Sequence, residues 1–378
     1  MLMRARDLLR ARDEFLEVLR LDWHLKVAHR EFAELLLMLE DEGSACRHAF
    51  LGLAAVPSLT VPYTGTGRPI RVLEIGSAIA GGHTNTDHIL ESQWCEKTTM
   101  LVEYWDQLSD LPAHDVAFNL VGDADLNCPG LELVDALLAR SNAPIINAPV
   151  KVLRTGRLQN ALRLANIPGL VVPRTATFAR ADLSGDDAPA LLAECGLEFP
   201  LLLRSPGYNN GENFLLVLSP RRLREAVALL PGDPLLVIEF VDTRSLDGLM
   251  RKYRVMVVDG KLYPAHLAIG RQWKMHYFSA QMGPEERREE AGFLACMHDS
   301  LGNRAIDALV AIAGVLDLDY AGIDFALNAA GQIVFFEANA TVSILRPAVD
   351  GATAYRVEAV ERILSAARSM IFHKVAIA

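Results

Sequence analysis

The chain has 378 residues, which at roughly 150 residues per domain allows two or three domains with cores of their own. Hydrophobic residues make up 51% and charged residues 22%, which excludes a disordered, collagen-like or coiled-coil chain. Basic and acidic side chains number 37 and 47, a formal charge of −10, so a nucleic-acid or anionic-membrane partner is not expected, although a local basic pocket stays open.

From residue 3 to about 56, leucines and alanines recur at three- and four-residue spacing, with Leu16, Leu19, Phe32, Leu35, Leu36 and Leu39 on apolar faces, which predicts two or three helices. The opening MLMRARDLLRARDEF has neither the apolar core nor the cleavage site of a leader, and no long apolar run follows, so a cytoplasmic protein without a membrane span is expected. The piece HLKVAHREFAELLLMLEDEGSACRHAFLGLAAVPS resembles a tetratricopeptide-type hairpin. One or two such units cannot bury a continuous solenoid core, so residues 1–60 are expected to pack on the rest of the chain or to serve a homodimer or another partner.

After PYTGTGRP, the runs IRVLEIG, TTMLVEY, DVAFNLVGD and APIINAP alternate with helical stretches and predict a parallel, doubly wound α/β domain over 68–150. A helix, RTGRLQNALRLANI, opens the remaining part, 151–378. Its strands LEFPLLLRS, ENFLLVLS, DPLLVIEFV, YRVMVVDG, KLYPAHLAI, YAGIDFALN and QIVFFEAN include hairpins turning at Asp259-Gly260 and Ala330-Gly331. Helical patterns at 284–315 and 351–371 complete an α+β part, with a small lobe at about 151–240 and a large one at about 241–378. The cysteines, at 46, 95, 128, 195 and 296, form no CxxC pair and read as reduced thiols.

The last hairpin carries the most chemistry. The two-residue period puts Ile323, Phe325 and Leu327 on one face and Asp324 on the other, and Glu337 and Asn339 likewise share a face. A two-residue turn at Ala330-Gly331 sets Asp324 opposite Glu337, and a bulge at Gly331 would shift that register by one. Two carboxylates so close repel unless a cation lies between them. Oxygen-only ligation suits Mg²⁺, which takes one or two carboxylates and completes its shell with phosphate oxygens and water. A solvated hairpin with a polar outer face is the alternative, and the apolar neighbours on both sides of Glu337 argue against it.

This closing segment, DYAGIDFALNAAGQIVFFEANAT, resembles the metal-binding hairpin of the ATP-grasp superfamily of carboxylate–amine ligases, and the resemblance extends over about 68–350. It implies a pre-ATP-grasp α/β domain followed by a two-lobed ATP-grasp domain, with ATP and Mg²⁺ as cofactors and Asp324, Glu337 and Asn339 as metal ligands. PLLVIEFVD is similar to the family's hinge, which implies Glu239, Phe240 and Val241 at the adenine edge and Asp242 or Asp247 at the ribose. YRVMVVDGKLYPAHLAI resembles the strand pair that sets an arginine, here Arg254, against the phosphates and the reacting carboxylate. The substrates so implied are a small carboxylate, activated as an acyl phosphate, and an amine that captures it, in this family most often an amino acid.

Other residues fit this reading and also a plainer one. Arg204, in FPLLLRSPGYNNGENF, stands where the family has a lysine; it can grip phosphate bidentately or be a surface charge at a strand end. Gly207 and Gly211 let a flap approach phosphate or belong to an ordinary loop. Arg157, with Arg154, is a second phosphate cation or a solvated helix face. His266, which the two-residue turn places beside rather than opposite Arg254, and Arg346 are substrate contacts or structural groups. The loop RQWKMHYF, with His276, faces substrate or packs. In IGSAIAGGHTNTDHIL, Thr84 and Asn85 near a helix start offer a carboxylate site, whereas Gly76, Gly81 and Gly82 do not make the GxGxxG of a dinucleotide-dependent oxidoreductase. The competing function is a nucleotide-sensing protein that keeps the site without turnover.

Overall fold

The computed structural model describes residues 2–22, 25–39, 44, 48, 52, 58–78, 83–105, 109–208, 211–275, 277 and 280–377. Helices Leu2–Leu21 and Lys26–Met38 pack on each other through Leu19, Phe32, Leu35 and Leu36. Most of the second arm of the tetratricopeptide-like hairpin, Cys46 included, lies outside the described residues. Among them, no helix is long and apolar enough to cross a membrane.

The first sheet holds β1 (Ser58–Val61), β2 (Ile70–Gly76), β3 (Cys95–Leu101), β4 (Val116–Asn119) and β5 (Ile145–Ile146) in the order β1-β3-β2-β4-β5. The last four in that order run parallel, as expected. β1, which precedes the span expected to be parallel, adds an edge strand antiparallel to β3. An edge strand with Leu59 and Val61 exposed shows no buried face for a sequence pattern to reveal. Nor is the sheet wound by its own helices on both sides. One face carries helix Cys128–Leu138, capped by the Asn127 side chain, which accepts the Gly130 N–H. The other is covered by the C-terminal helix Val357–Ile377, whose Ile363, Leu364, Met370 and Ile371 lie in one core with Val72, Val116, Phe118 and Ile146. At about 1.5–3 kcal/mol per buried aliphatic side chain, that helix is anchored by on the order of 10 kcal/mol before the entropy of ordering. It starts at 357, not 351, because a turn at Gly351 and a 3-10 turn at Ala354–Arg356 precede it.

The chain then adds β6 (Leu170–Val171) to the edge of the large sheet, parallel to its last strand, before entering a smaller one. The small sheet, β7 (Thr175–Phe178), β8 (Leu201–Arg204), β9 (Phe214–Val217) and β10 (Leu235–Glu239), is antiparallel in the order β7-β10-β8-β9. It has its own core around Leu192, Leu203, Leu223, Val227 and Val237. The large sheet runs β12-β11-β13-β14-β6, with β11 (Met250–Val258), β12 (Lys261–Gly270), β13 (Tyr320–Leu327) and β14 (Ile333–Asn339) antiparallel. Tyr253, Val255, Ile323 and Phe325 alternate into a core shared with Leu73 and Ile75 of the first sheet.

Asn147 fastens these two sheets together. Fully buried and at φ 54°, it donates its own N–H to Asp319 Oδ2 (2.8 Å) and its side-chain amide to Tyr320 O (2.7 Å). Its Oδ1 accepts the N–H of both Asp319 and Tyr320 at 3.0 Å.

Candidate functional site

Four polar side chains stand in one row across the large sheet: His266, Arg254, Asp324 and Glu337 occupy facing positions on β12, β11, β13 and β14. Two irregularities build that row. The turn at Asp259-Gly260 alone would set Arg254 against Ala265, but the register slips by one between Arg254 and Val255 and brings His266 opposite instead. Pro264 lies at the slip, where a residue without an N–H cannot continue the ladder. In the closing hairpin, Asn328 O accepts the Gly331 N–H and Gly331 sits at φ 67°, so the loop has three residues, not two. That shifts the register by one, and a bulge at Phe336 shifts it back, so Asp324 faces Glu337 as the simple turn predicts.

The charge of the carboxylate pair is offset differently from the sequence expectation. Asp324 is buried, 1% exposed, and takes Arg254 through Nε (2.5 Å) and Nη2 (2.7 Å) and Lys252 Nζ at 2.7 Å. Burial works against its ionisation, but Arg254 and Lys252 outweigh it and hold the carboxyl well below the usual range. Burial likewise opposes the charge on Arg254, and Asp324 more than offsets it, raising the guanidinium above its ordinary value. Glu337 is lowered too, against burial, chiefly by Arg157, whose Nη2 lies 3.4 Å away. Arg157 also binds Asp125 at 3.0 Å. Side-chain cations thus do part of what a metal was invoked to do. Lys252 was legible, since two residues before Arg254 on a strand means the same face.

Arg204 is not a surface charge. It is 7% exposed, with its Nη2 on Tyr208 O, its guanidinium 5.2 Å from the centre of the Phe214 ring, and its Nε without a hydrogen-bond partner among the described residues. Burial, then the like charge of Arg157, pulls its pKa down to about 10. A buried arginine with an unused donor has the chemistry to take an anion.

Of these groups, His266, Arg254, Glu337, Lys252, Arg157 and Arg204 line one cavity of about 1300 Å³, more than the roughly 300–1,000 Å³ of ordinary ligand pockets, and Asp324 lies behind its wall. Among the described residues its wall carries eight cations (Arg157, Arg204, Arg251, Lys252, Arg254, Lys274, Arg346 and Arg356) and two carboxylates, Glu239 and Glu337, in a chain whose formal charge is −10. One end is an apolar slot between Val172, Leu202, Ile238, Phe240 and Met250, edged by Glu239, Val241 and Thr243. From Met250 to Arg254 the cavity follows β11 for about 13 Å.

The remaining sequence candidates divide. Gly207 and Gly211 have φ of 78° and 75°, which side chains disfavour, and Gly211 lines the cavity. Lys274 Nζ donates to Gly211 O (3.0 Å) and Trp273 meets Phe214 edge-on, so the RQWKMHYF loop closes on the flap; His276 lies outside the described residues, as do Gly81 and Gly82. Asp247 is off the cavity wall, bound to Arg251 and the Leu249 N–H, and Asp242 binds Arg244. Arg346 lines the cavity but is taken by Glu91 and Glu361. Thr84 and Asn85 do not line it: Thr84 Oγ1 donates to Ala340 O, and the Asn85 N–H to Ser343 Oγ. Arg154 is exposed and off the wall as well.

Magnesium fits the donor chemistry. Asp324, Glu337 and Asn339 supply two ionised carboxylates and an amide oxygen; Asp324 is held by Arg254 and Lys252, Asn339 Oδ1 accepts the N–H and hydroxyl of Thr341, and Glu337 and Asn339 reach the cavity. Among the described residues, no three His, Cys, Asp or Glu side chains gather as a cage, so most of a cation's shell would come from ligand oxygens and water.

No family model and no curated protein matches the sequence. Among solved structures, the chain is similar to the VanG D-Ala:D-Ser ligase from Enterococcus faecalis, at 12% identity and a TM-score of 0.49, over 82% of this chain and 100% of that one. It is also similar to a RimK domain ATP-grasp protein from Sphaerobacter thermophilus, at 17% identity and a TM-score of 0.45, over 81% and 99% of the two chains. The ATP-grasp ligase PsnB, complexed with its minimal precursor, gives 12% and 0.46, over 80% and 100%.

Proposed function

We propose that the chain is an ATP- and magnesium-dependent ligase of the ATP-grasp type that joins a small carboxylate to an amine. The observation that carries this reading is the row His266–Arg254–Asp324–Glu337, of which all but Asp324 line a cavity with eight cations on its wall among the described residues and an apolar slot at one end. In it, the adenine lies in the slot against Phe240 and Val241, and the triphosphate between Arg204 and Arg157. The anion completes the hydrogen bonding of Arg204. Arg254, oriented by Asp324, holds the carboxylate substrate in line with the γ-phosphorus, so positioning and charge neutralisation do most of the work. A carboxylate oxygen forms the new bond to that phosphorus and ADP leaves. The amine nitrogen then attacks the acyl carbon and loses a proton, and phosphate leaves. Glu337 and Asn339, with Asp324 behind them, would hold magnesium, which supplies positive charge to the phosphate oxygens when bound.

The test is ADP production over a matrix of carboxylate and amine pairs, with mass analysis of the product. Turnover that needs both partners supports the ligase. Tight ATP binding without turnover for any pair supports a nucleotide-sensing protein instead, a reading favoured by the closure of Asp324 by Arg254 and Lys252.

A further inference from the structure

The guanidinium of Arg157 is divided between two carboxylates from distant parts of the chain. Arg157 opens the helix Arg157–Leu164, and Asp125 reaches it from the loop between β4 and helix Cys128–Leu138. Asp125 Oδ2 accepts both the Arg157 N–H and Nη1, each at 3.0 Å. The loop is fixed in turn by Asp123, whose Oδ1 accepts the N–H of Asp125 (3.0 Å) and of Leu126 (3.1 Å). Loop and helix come so close that a Cβ at Gly156 would stand 2.6 Å from Asp125 Oδ1. On the other side, Arg157 Nη2 meets Glu337 Oε2 at 3.4 Å, a single long contact where an arginine can grip a carboxylate with two short ones. Glu337 is not free to come closer. Asn160, one turn along the helix and 2% exposed, donates Nδ2 to Ala338 O at 3.1 Å and to Thr155 O at 2.8 Å, which pins β14 beside Glu337. The gap is therefore set from the arginine's side. The side chains of Arg157, Asp125 and Glu337 are 15%, 28% and 26% exposed, so solvent screens their attraction only in part.

We infer that Asp125, which does not line the cavity, is a positioning residue: by holding Arg157 back from Glu337, it leaves the Glu337 carboxylate to a metal ion and Arg157 Nη2 to phosphate oxygens. Without Asp125 the guanidinium closes on Glu337, and a metal must then displace a buried ion pair. The inference rests on the metal and nucleotide reading given above and adds to it the group that sets how strongly the two ligands help each other.

The test measures the affinity of the full chain for ADP by calorimetry, once in EDTA and once in saturating Mg²⁺. The ratio of the two affinities is the coupling between metal and nucleotide; it should exceed about tenfold in the wild type and fall by about fivefold or more in Asp125→Asn, while the affinity in EDTA moves by less than about threefold. Asp125→Ser removes the charge without adding an amide and should behave in the same way. Arg157→Gln should weaken binding in EDTA but keep the ratio, and adding Asp125→Asn to it should change the ratio no further. A ratio within about twofold of wild type in both Asp125 variants overturns the inference. So does an equal fall in the Arg157→Gln background, because the loop and not the guanidinium would then carry the effect. A wild-type ratio near one takes the metal out of the proposed function and this inference with it, whereas a large ratio indifferent to Asp125 sinks the inference alone.

Discussion

Asp324→Asn is the most informative substitution, because the structure gives Asp324 two duties. Its carboxylate anchors Arg254 and Lys252, whose side chains are 25% and 21% exposed. Removing one partner of a buried pair costs about 3–5 kcal/mol, and here two cations are stranded side by side, although cavity water solvates them in part. The lower end, about 3 kcal/mol, is therefore expected, which at roughly 2–4 °C per kcal/mol lowers the melting midpoint by about 6–12 °C. Glu337→Gln makes the control. Arg157 keeps Asp125 at 3.0 Å, so the loss there should stay near 1 kcal/mol, about 2–4 °C. Both variants should lose ADP production. Asp324→Asn/Lys252→Met should recover part of the lost stability, because only one cation is then left unpaired. The pH dependence has a defined sign. The folded pKa of Asp324 is depressed, so its contribution is complete above the unfolded value of about 3.9 and fades as pH falls through the folded one. The gap between wild type and Asp324→Asn should be flat from neutrality to about pH 5 and close only in stronger acid. A melting midpoint for Asp324→Asn within 2 °C of wild type at pH 7 would refute the anchoring role.

Arg204→Gln should weaken ADP binding by about 10–100-fold in a fluorescence titration, with Arg204→Lys intermediate. The ligand-free melting midpoint should not fall, because the side chain removed is a buried cation short of partners. Gly122→Ala would place a Cβ 2.8 and 2.9 Å from the backbone of Ala340 and Thr341, where neither side can give easily; a loss of about 1–3 kcal/mol by denaturant titration is expected. Lys274→Met removes the tie to Gly211 O and should raise the KM for ATP several-fold with little change in melting midpoint, since the bond joins two exposed loops.

Much of the site was legible because it depends on local periodicity. The alternation in GIDFALN and a two-residue turn before Ile333 set Asp324 against Glu337 in the sequence, a pairing that the folded hairpin reaches through a three-residue loop and a compensating bulge, and the run LLVIEFV shows its apolar slot directly. What escaped depends on the ladder's irregularities and on distant partners. Pro264 was visible, but only the folded sheet shows that the chain absorbs it as a one-residue slip and so turns His266 toward Arg254. Arg346 read as a substrate group because Glu91 lies 255 residues away. Arg356 gave no signal at all, since its contacts with Tyr277 and Ala265 arise only when the C-terminal helix folds back under the first sheet. β1 was missed for the opposite reason, having no buried face to mark it.

The Asn147 clamp decides which part of the molecule is free to breathe. With the first and large sheets fastened by that carboxamide and sharing one core, the strands 175–239 form a jaw that hangs on two short crossings, at 172–174 and 240–249. On the proposed function a nucleotide would enter and leave by movement of this jaw, loosened where Lys274 and Trp273 meet Gly211 and Phe214, and the jaw's amides should exchange with heavy water as one block, ahead of those in β11 and β13.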